Sequence, residues 1–269
     1  MVRIESERLP HLAEQGLQRY QAEVNAERSY AQRVETAAAK FAGYNRKTNA
    51  VFEQVRNTLD AMCSGARRCM YCEDSAADEV EHHHPKNLYP ELTFVWENYL
   101  YACGPCNGPK NNRFAVFTGA GEVLAIERKR GDRVSKPAAG EKVLLHPRAD
   151  NPLEYLMLDI RGGTFRFVPI ADRGSLEFKR AEYTIDVLGL NLRTFLPRAR
   201  REAFESYRAR VVEFGQKRER AAGEKELNFL ADAVKRMQHP TVFHEMRRQR
   251  ELLPELKRIF QEVPEALNW

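Results

Sequence analysis

No run of about 18 consecutive apolar residues occurs in the 269-residue chain, so no helical membrane span is expected. The first residues, Met1-Val-Arg-Ile-Glu-Ser-Glu-Arg, are charged and lead into no apolar block, so a secretory leader is not expected and the predicted location is cytoplasmic. Internal repeats and low-complexity tracts are missing, which excludes repeat architectures and biased linkers. There is no G-x-x-x-x-G-K-[ST] motif, so any nucleotide control has to come from another chain. Charge of one sign is not in large excess. A net charge of +5 is compatible with nucleic acid without establishing it. With 43% hydrophobic and 30% charged residues, the chain is globular rather than disordered and long enough for one or two domains with cores.

Cysteine is scarce, five in all, yet four of the five form two Cys-x-x-Cys pairs, Cys69/Cys72 and Cys103/Cys106. A two-residue gap lets a tight turn aim both thiolates at one tetrahedral ion. In a reducing compartment two such pairs read as a structural Zn²⁺ site rather than two disulfides. Cys63, the fifth, is expected to pack as a small buried residue at a helix end.

The chain around the pairs divides by pattern. Leu17, Tyr20 and Val24, then Tyr30, Val34, Ala38 and Phe41, then Val51, Val55, Leu59 and Met62 recur at helical steps, which predicts two helices broken at Gly43-Tyr44-Asn45. Phe94 and Trp96 read as core. Pro109 restricts the helix that follows the second pair to a start near Cys106. Hairpins are expected at 115–117 with 122–126 and at 155–160 with 164–168, around glycine turns, with the charged stretch 127–140 an exposed loop. From Leu176 the pattern turns helical again, with Pro197 in a first turn and one or two further helices broken near Pro240 and Pro254. Between Arg198 and Arg220 eight Lys/Arg face four Glu; such a helix can lie along phosphates or be a solvated amphipathic helix. The predicted class is α+β, with a helical region over 1–65, a central unit with added hairpins over 66–175 and a helical region over 176–269.

Three further stretches resemble a known family. Val80-Glu81-His82-His83-His84-Pro85, then Trp96-Glu97-Asn98, then Cys103-Gly-Pro-Cys106-Asn107-x-x-Lys110 resemble, in order and spacing, the HNH endonucleases of the subgroup with four zinc-binding cysteines. The resemblance implies a zinc-stabilised ββα-metal core. It implies that His82 is the general base, Asn98 the residue holding it in orientation, and Glu81 and Asn107 the ligands of a catalytic Mg²⁺ or Mn²⁺. Cys69, Cys72, Cys103 and Cys106 would hold Zn²⁺. Glu81 stands where the family commonly has Asp. Physical chemistry agrees: histidine can be neutral near pH 7 and take a proton from water, and two oxygen donors favour a hard ion over the softer one that thiolates select. Lys110 and Arg113 are candidate phosphate contacts. The weaker motifs Leu144-Leu-His-Pro-Arg-Ala-Asp-Asn-Pro152 and Thr184-Ile-x-x-Leu-x-Leu-Asn191 look like the HNH proteins found beside retrons and in Septu-type antiphage systems. That implies a defence effector cutting DNA, with an ABC-type ATPase as partner and a homo-oligomer compatible with the role. The alternatives are a ribonuclease acting on tRNA and a catalytically silent zinc module.

Overall fold

The N-terminal stretch expected to hold two helices holds three: α1 (His11–Asn25), α2 (Tyr30–Tyr44) and α3 (Ala50–Ala61). The additional break falls just before Ser29, where a capping box ends one helix path and starts another. Ser29 Oγ accepts from Gln32 N, and the Gln32 side chain reaches back to Ser29 N at 3.1 Å, satisfying donors that a helix start leaves without partners. Asn49 caps α3 by accepting from Phe52 N. The structure, a computed structural model, describes residues 1–129 and 131–269.

After the first cysteine pair come β1 (Glu79–His82) and β2 (Tyr99–Ala102), antiparallel with Glu81 opposite Leu100 and His82 opposite Tyr99. They are joined by the long excursion 83–98, not a tight turn, and β2 runs directly into α4 (Gly104–Lys110). This helix starts two residues earlier than Pro109 suggested, because Pro105 occupies its first turn, where a missing N–H costs nothing.

The two expected hairpins form as β3 (Phe114–Phe117) with β4 (Val123–Ile126) and β5 (Leu156–Leu158) with β6 (Phe167–Pro169). Among the described residues each is a separate two-stranded sheet and neither adds a strand to β1–β2. The C-terminal part is α5 (Leu176–Val187), α6 (Phe195–Glu219), α7 (Glu224–Lys235), α8 (Pro240–Arg248) and α9 (Pro254–Glu262). Pro240 and Pro254 open α8 and α9 rather than merely interrupting the chain. The tail therefore has three α-helices where one or two were expected. The architecture is α+β, with helices outnumbering short strands.

One apolar core runs through all of it, from Leu17, Phe52 and Leu59 through Tyr99 and Leu100 to Leu158, Val211, Met246 and Ile259. Each such fully buried side chain contributes about 1.5–3 kcal/mol. One polar device fixes the site within this core. Gln21, on α1, accepts from Phe94 N at 2.8 Å and donates to Pro90 O at 3.1 Å, tying the 83–98 excursion to the N-terminal helices. Several basic residues of α6 are engaged: Arg200 is buried on Phe165 O and Leu190 O, Lys217 pairs with Glu226 at 2.7 Å and Arg218 with Glu265 at 2.6 Å. These pairs favour the solvated amphipathic reading of that helix.

Candidate active site and metal centre

Backbone turns bring the four expected cysteines together. Glu73 N donates to Cys69 O, and Cys106 N and Asn107 N both donate to Cys103 O, so each pair folds back into a tight knuckle. All four Sγ atoms are buried and lie within 4.8 Å of one another, with Cys72 and Cys103 at 3.8 Å. Four thiolates at about 2.3 Å from a tetrahedral Zn²⁺ would be ~3.8 Å apart, so the cluster is positioned to bind a metal ion and suits zinc. Hydrogen bonding, chiefly with Cys103, holds the Cys72 thiol far below its usual range, while burial pushes Cys69 up. Arg193 Nη2 donates to Cys106 Sγ at 3.2 Å and to Leu188 O at 3.2 Å. Cys63 lies outside the cluster, half-buried at the end of α3, with Sγ on Leu59 O and burial pushing its thiol up to about 12.

Beside this centre, where β1, α2 and α4 meet, is a cleft of about 470 Å³ lined by Phe41, Glu79, Glu81, His82, Lys86 and Asn107, among others. Glu81, His82 and Asn107 are thus brought together. His83 and His84, the neighbours with which His82 is most easily confused, do not line it.

His82 is the last residue of β1, and its ring stands edge-on to Phe41 at 4.4 Å and to Tyr99 at 5.2 Å. Nε2 lies 2.9 Å from Thr93 O. A carbonyl only accepts, so this contact assigns the proton to Nε2 and leaves Nδ1 as the acceptor. Burial, helped by the Lys86 charge, lowers the His82 pKa to about 3. The imidazole is neutral at pH 7, with Nδ1 unprotonated.

The Asn98 side chain makes no hydrogen bond to the His82 ring; the ring's hydrogen bond is to the Thr93 carbonyl instead. Asn98 acts on the backbone around it. Its Oδ1 accepts from His84 N at 2.8 Å, and Nδ2 donates to His84 O and Leu92 O at 3.0 and 2.9 Å. The side chain ties His84 to Leu92, the residue just before Thr93.

Glu81 is 5% exposed and meets Lys110 Nζ through Oε1 at 2.5 Å, which occupies one of the two oxygens a carboxylate offers. Burial raises the Glu81 pKa, and the Lys110 ammonium opposes the shift. Asn107 Nδ2 donates to Glu79 Oε2 at 2.5 Å, so its own carbonyl oxygen is not consumed by that contact. Oxygen donors on β1 and α4 therefore share the cleft, as a hard divalent ion requires.

Two expected phosphate contacts need correction. Lys110 is fully buried, with Nζ on Glu81 and on His82 O at 2.8 Å, because the last turn of α4 points it beneath β1 rather than outward. Arg113 is exposed but lies outside the cleft and pairs with Asp186 at 2.6 Å. Removing one member of a buried pair leaves the other charge uncompensated, so Lys110→Ala is expected to cost about 3–5 kcal/mol. A lowered thermal midpoint checks this; a variant melting with the native chain would show that the pair does not hold Glu81.

Residues missed by the sequence reading are Glu79, Lys86, Phe41 and Thr93. For Glu79 there was a signal: positions i and i+2 of a strand share a face, so Glu79 travels with Glu81. Thr93 acts through its carbonyl, which no side-chain pattern reveals.

A second cluster sits behind the site. His83 stacks obliquely on His146 with ring centroids 4.2 Å apart, and its Nδ1 is 3.4 Å from His84 Nδ1. Burial holds His83 well below its usual pKa and lowers His84 to about 4 and His146 to about 3. An unfolded histidine titrates near 6.5, so the unfolded chain takes up these protons first. The stability they contribute is complete above about pH 6.5 and is lost as pH falls toward 4 and 3, each adding about 1.4 kcal/mol per pH unit within its window. Denaturant midpoints measured from pH 7.5 to 4.5 should fall steeply below pH 6.5; a flat profile would contradict the buried neutral cluster.

The structure thus defines an α+β protein with a four-cysteine metal centre next to a polar cleft. No known protein-family model matches the chain. Over 48 residues it is 46% identical to the Septu protein PtuB of Bacillus thuringiensis, a stretch covering 16% of this chain and 19% of that protein. The chain therefore matches about a fifth of the length of this relative. No helix of the described residues is long and apolar enough to cross a membrane.

Proposed function

We propose that the chain is a metal-dependent HNH endonuclease, built on a zinc-stabilised ββα unit made of β1, β2 and α4, that hydrolyses DNA phosphodiesters. The observation that carries this is the cleft itself: a neutral imidazole with a fixed tautomer beside the oxygen donors Glu81 and Asn107, against a thiolate knuckle. Nδ1 of His82 takes a proton from water; the resulting hydroxide attacks phosphorus, the P–O3′ bond breaks, and the leaving oxygen takes a proton from solvent, giving a 5′-phosphate and a 3′-hydroxyl. Glu81 and Asn107 would hold Mg²⁺ or Mn²⁺, which when bound neutralises charge on the phosphate and the leaving oxygen. Asn98 keeps the Thr93 carbonyl in register with the ring, so the base is oriented before substrate arrives.

The match to a Septu protein supports a role in antiphage defence, with an ABC-type ATPase as the partner that controls cutting. A nuclease with no nucleotide-binding motif of its own fits such dependence. The test is cleavage of labelled double-stranded DNA, single-stranded DNA and tRNA by the purified chain with Mg²⁺ or Mn²⁺, alone and with the co-purified ATPase. Cutting of duplex DNA is expected. Cutting of tRNA alone would make it a ribonuclease, and no cutting in any combination would reduce it to a silent zinc module.

A further inference from the structure

With Lys110 buried beneath Glu81 and Arg113 tied to Asp186 outside the cleft, neither residue first expected to meet phosphate is in place to do so. Among the described residues one cation, Lys86, remains on the cleft wall. We propose that the Lys86 ammonium takes a non-bridging phosphate oxygen of a DNA strand lying in this cleft, an assignment that rests on the nuclease reading above.

Lys86 follows Pro85, whose ring fixes the backbone just after the histidine run. Its Nζ lies over the Phe41 ring, 5.2 Å from the centroid, so the ammonium rests on the same aromatic side chain that meets the His82 ring edge-on. Lys86 and His82 are therefore presented to the cleft from one rigid support. The ammonium has no hydrogen bond or ion pair among the described residues, although other lysines near this region do: Lys110 with Glu81, Lys142 with Asp150 and Lys179 with Glu122. Burial holds Lys86 below its ordinary pKa, with the Glu81 carboxylate opposing that shift and Lys110 reinforcing it. A partly desolvated charge without a counter-ion is costly, and an anion entering the cleft removes that cost. Asp78 and Glu79 also line the cleft and are exposed at its rim; Glu79 is occupied by Asn107. Lys86 and His82 line the same cleft, so a strand lying in it meets both the cation and the imidazole.

The test measures binding without cleavage. In the His82→Ala chain, anisotropy of a labelled 20-base-pair duplex is titrated across potassium chloride concentrations, with no added divalent ion, for Lys86→Met, Lys86→Arg and Arg113→Met. Methionine keeps an unbranched side chain of similar length and removes the charge. Lys86→Met is expected to weaken binding about tenfold and to lower the slope of log K against log salt by about 0.9, equally on duplexes of unrelated sequence. Lys86→Arg should retain the slope, and Arg113→Met should leave both quantities where they were. An unchanged slope in Lys86→Met, or a parent chain with no salt-dependent binding, overturns the proposal. If Lys86→Met proves unfolded by its thermal melt, Lys86→Gln carries the same comparison. Cleavage by the native chain, alone and with the co-purified ATPase, is recorded alongside. Cutting with an unchanged Lys86→Met slope rejects Lys86 alone, whereas a lost slope with no cutting of any substrate rejects the nuclease reading and keeps the phosphate contact.

Discussion

Replacing His82 with alanine is expected to lower phosphodiester cleavage by a factor of about 10²–10⁴, the range a positioned general base contributes. The imidazole is the group in the cleft whose nitrogen is neutral at pH 7 and oriented by a backbone carbonyl, with Nε2 on Thr93 O. Neither Glu81 nor Asn107 replaces it, since one is engaged with Lys110 and the other is an amide without basicity. The variant leaves a void beside Phe41 and Tyr99 and removes one of the two hydrogen bonds to Thr93 O, which keeps the Tyr99 hydroxyl as a donor at 2.8 Å, a loss of about 0.5–1.5 kcal/mol. Against a total stability of about 5–15 kcal/mol, the chain should still fold and keep its zinc. The measurement is single-turnover cleavage beside a thermal melt and zinc content. Full activity in a folded His82→Ala chain would remove the residue from the role of base.

Cys69→Ser and Cys106→Ser are expected to abolish the folded state under ordinary conditions. A serine hydroxyl does not ionise to supply the soft anionic donor that zinc selects, whereas each cysteine does so once a metal draws off its proton. Zinc bound by small thiolate sites contributes an apparent ~10–16 kcal/mol to folding, as much as the whole stability of a typical domain. The cluster here joins residues on either side of β1 and β2, so both strands and α4 depend on it. Circular dichroism and zinc per chain check the outcome. Cys63→Ser serves as the comparison, since that thiol only meets Leu59 O and its loss should leave zinc content unchanged. A stable, metal-free Cys106→Ser chain would show the cluster to be dispensable.

Much of this was legible from residues alone. The cysteine knuckles follow from spacing, and the β3–β4 and β5–β6 hairpins from glycine turns between β-rich runs. What escaped was information carried by the backbone or by the third dimension. The break before α2 contains neither glycine nor proline; its signature is Ser29 with Gln32, a pair easily read as solvated helix surface. Pro240 and Pro254 were legible as interruptions, yet a proline that ends one segment equally opens the next. Lys110 has the right sequence spacing for a phosphate contact, but only the packing of α4 on β1 turns it inward. Asn98 was legible as a member of the site, while its partners, the His84 and Leu92 backbones, could not be named from sequence. Lys86 escaped because a lysine beside a histidine run looks like surface charge until its surroundings are known.

Arg193 sits between α5 and α6 and holds Cys106 Sγ and Leu188 O with the same nitrogen. A thiolate of the metal centre is thereby fastened to the C-terminal end of α5, far along the chain. Local opening of that helix end has to break a contact to the cluster, and loosening the cluster releases the helix end. Arg193 thereby couples α4 to the end of α5 although more than seventy residues separate them, and amide exchange is expected to show the two opening together.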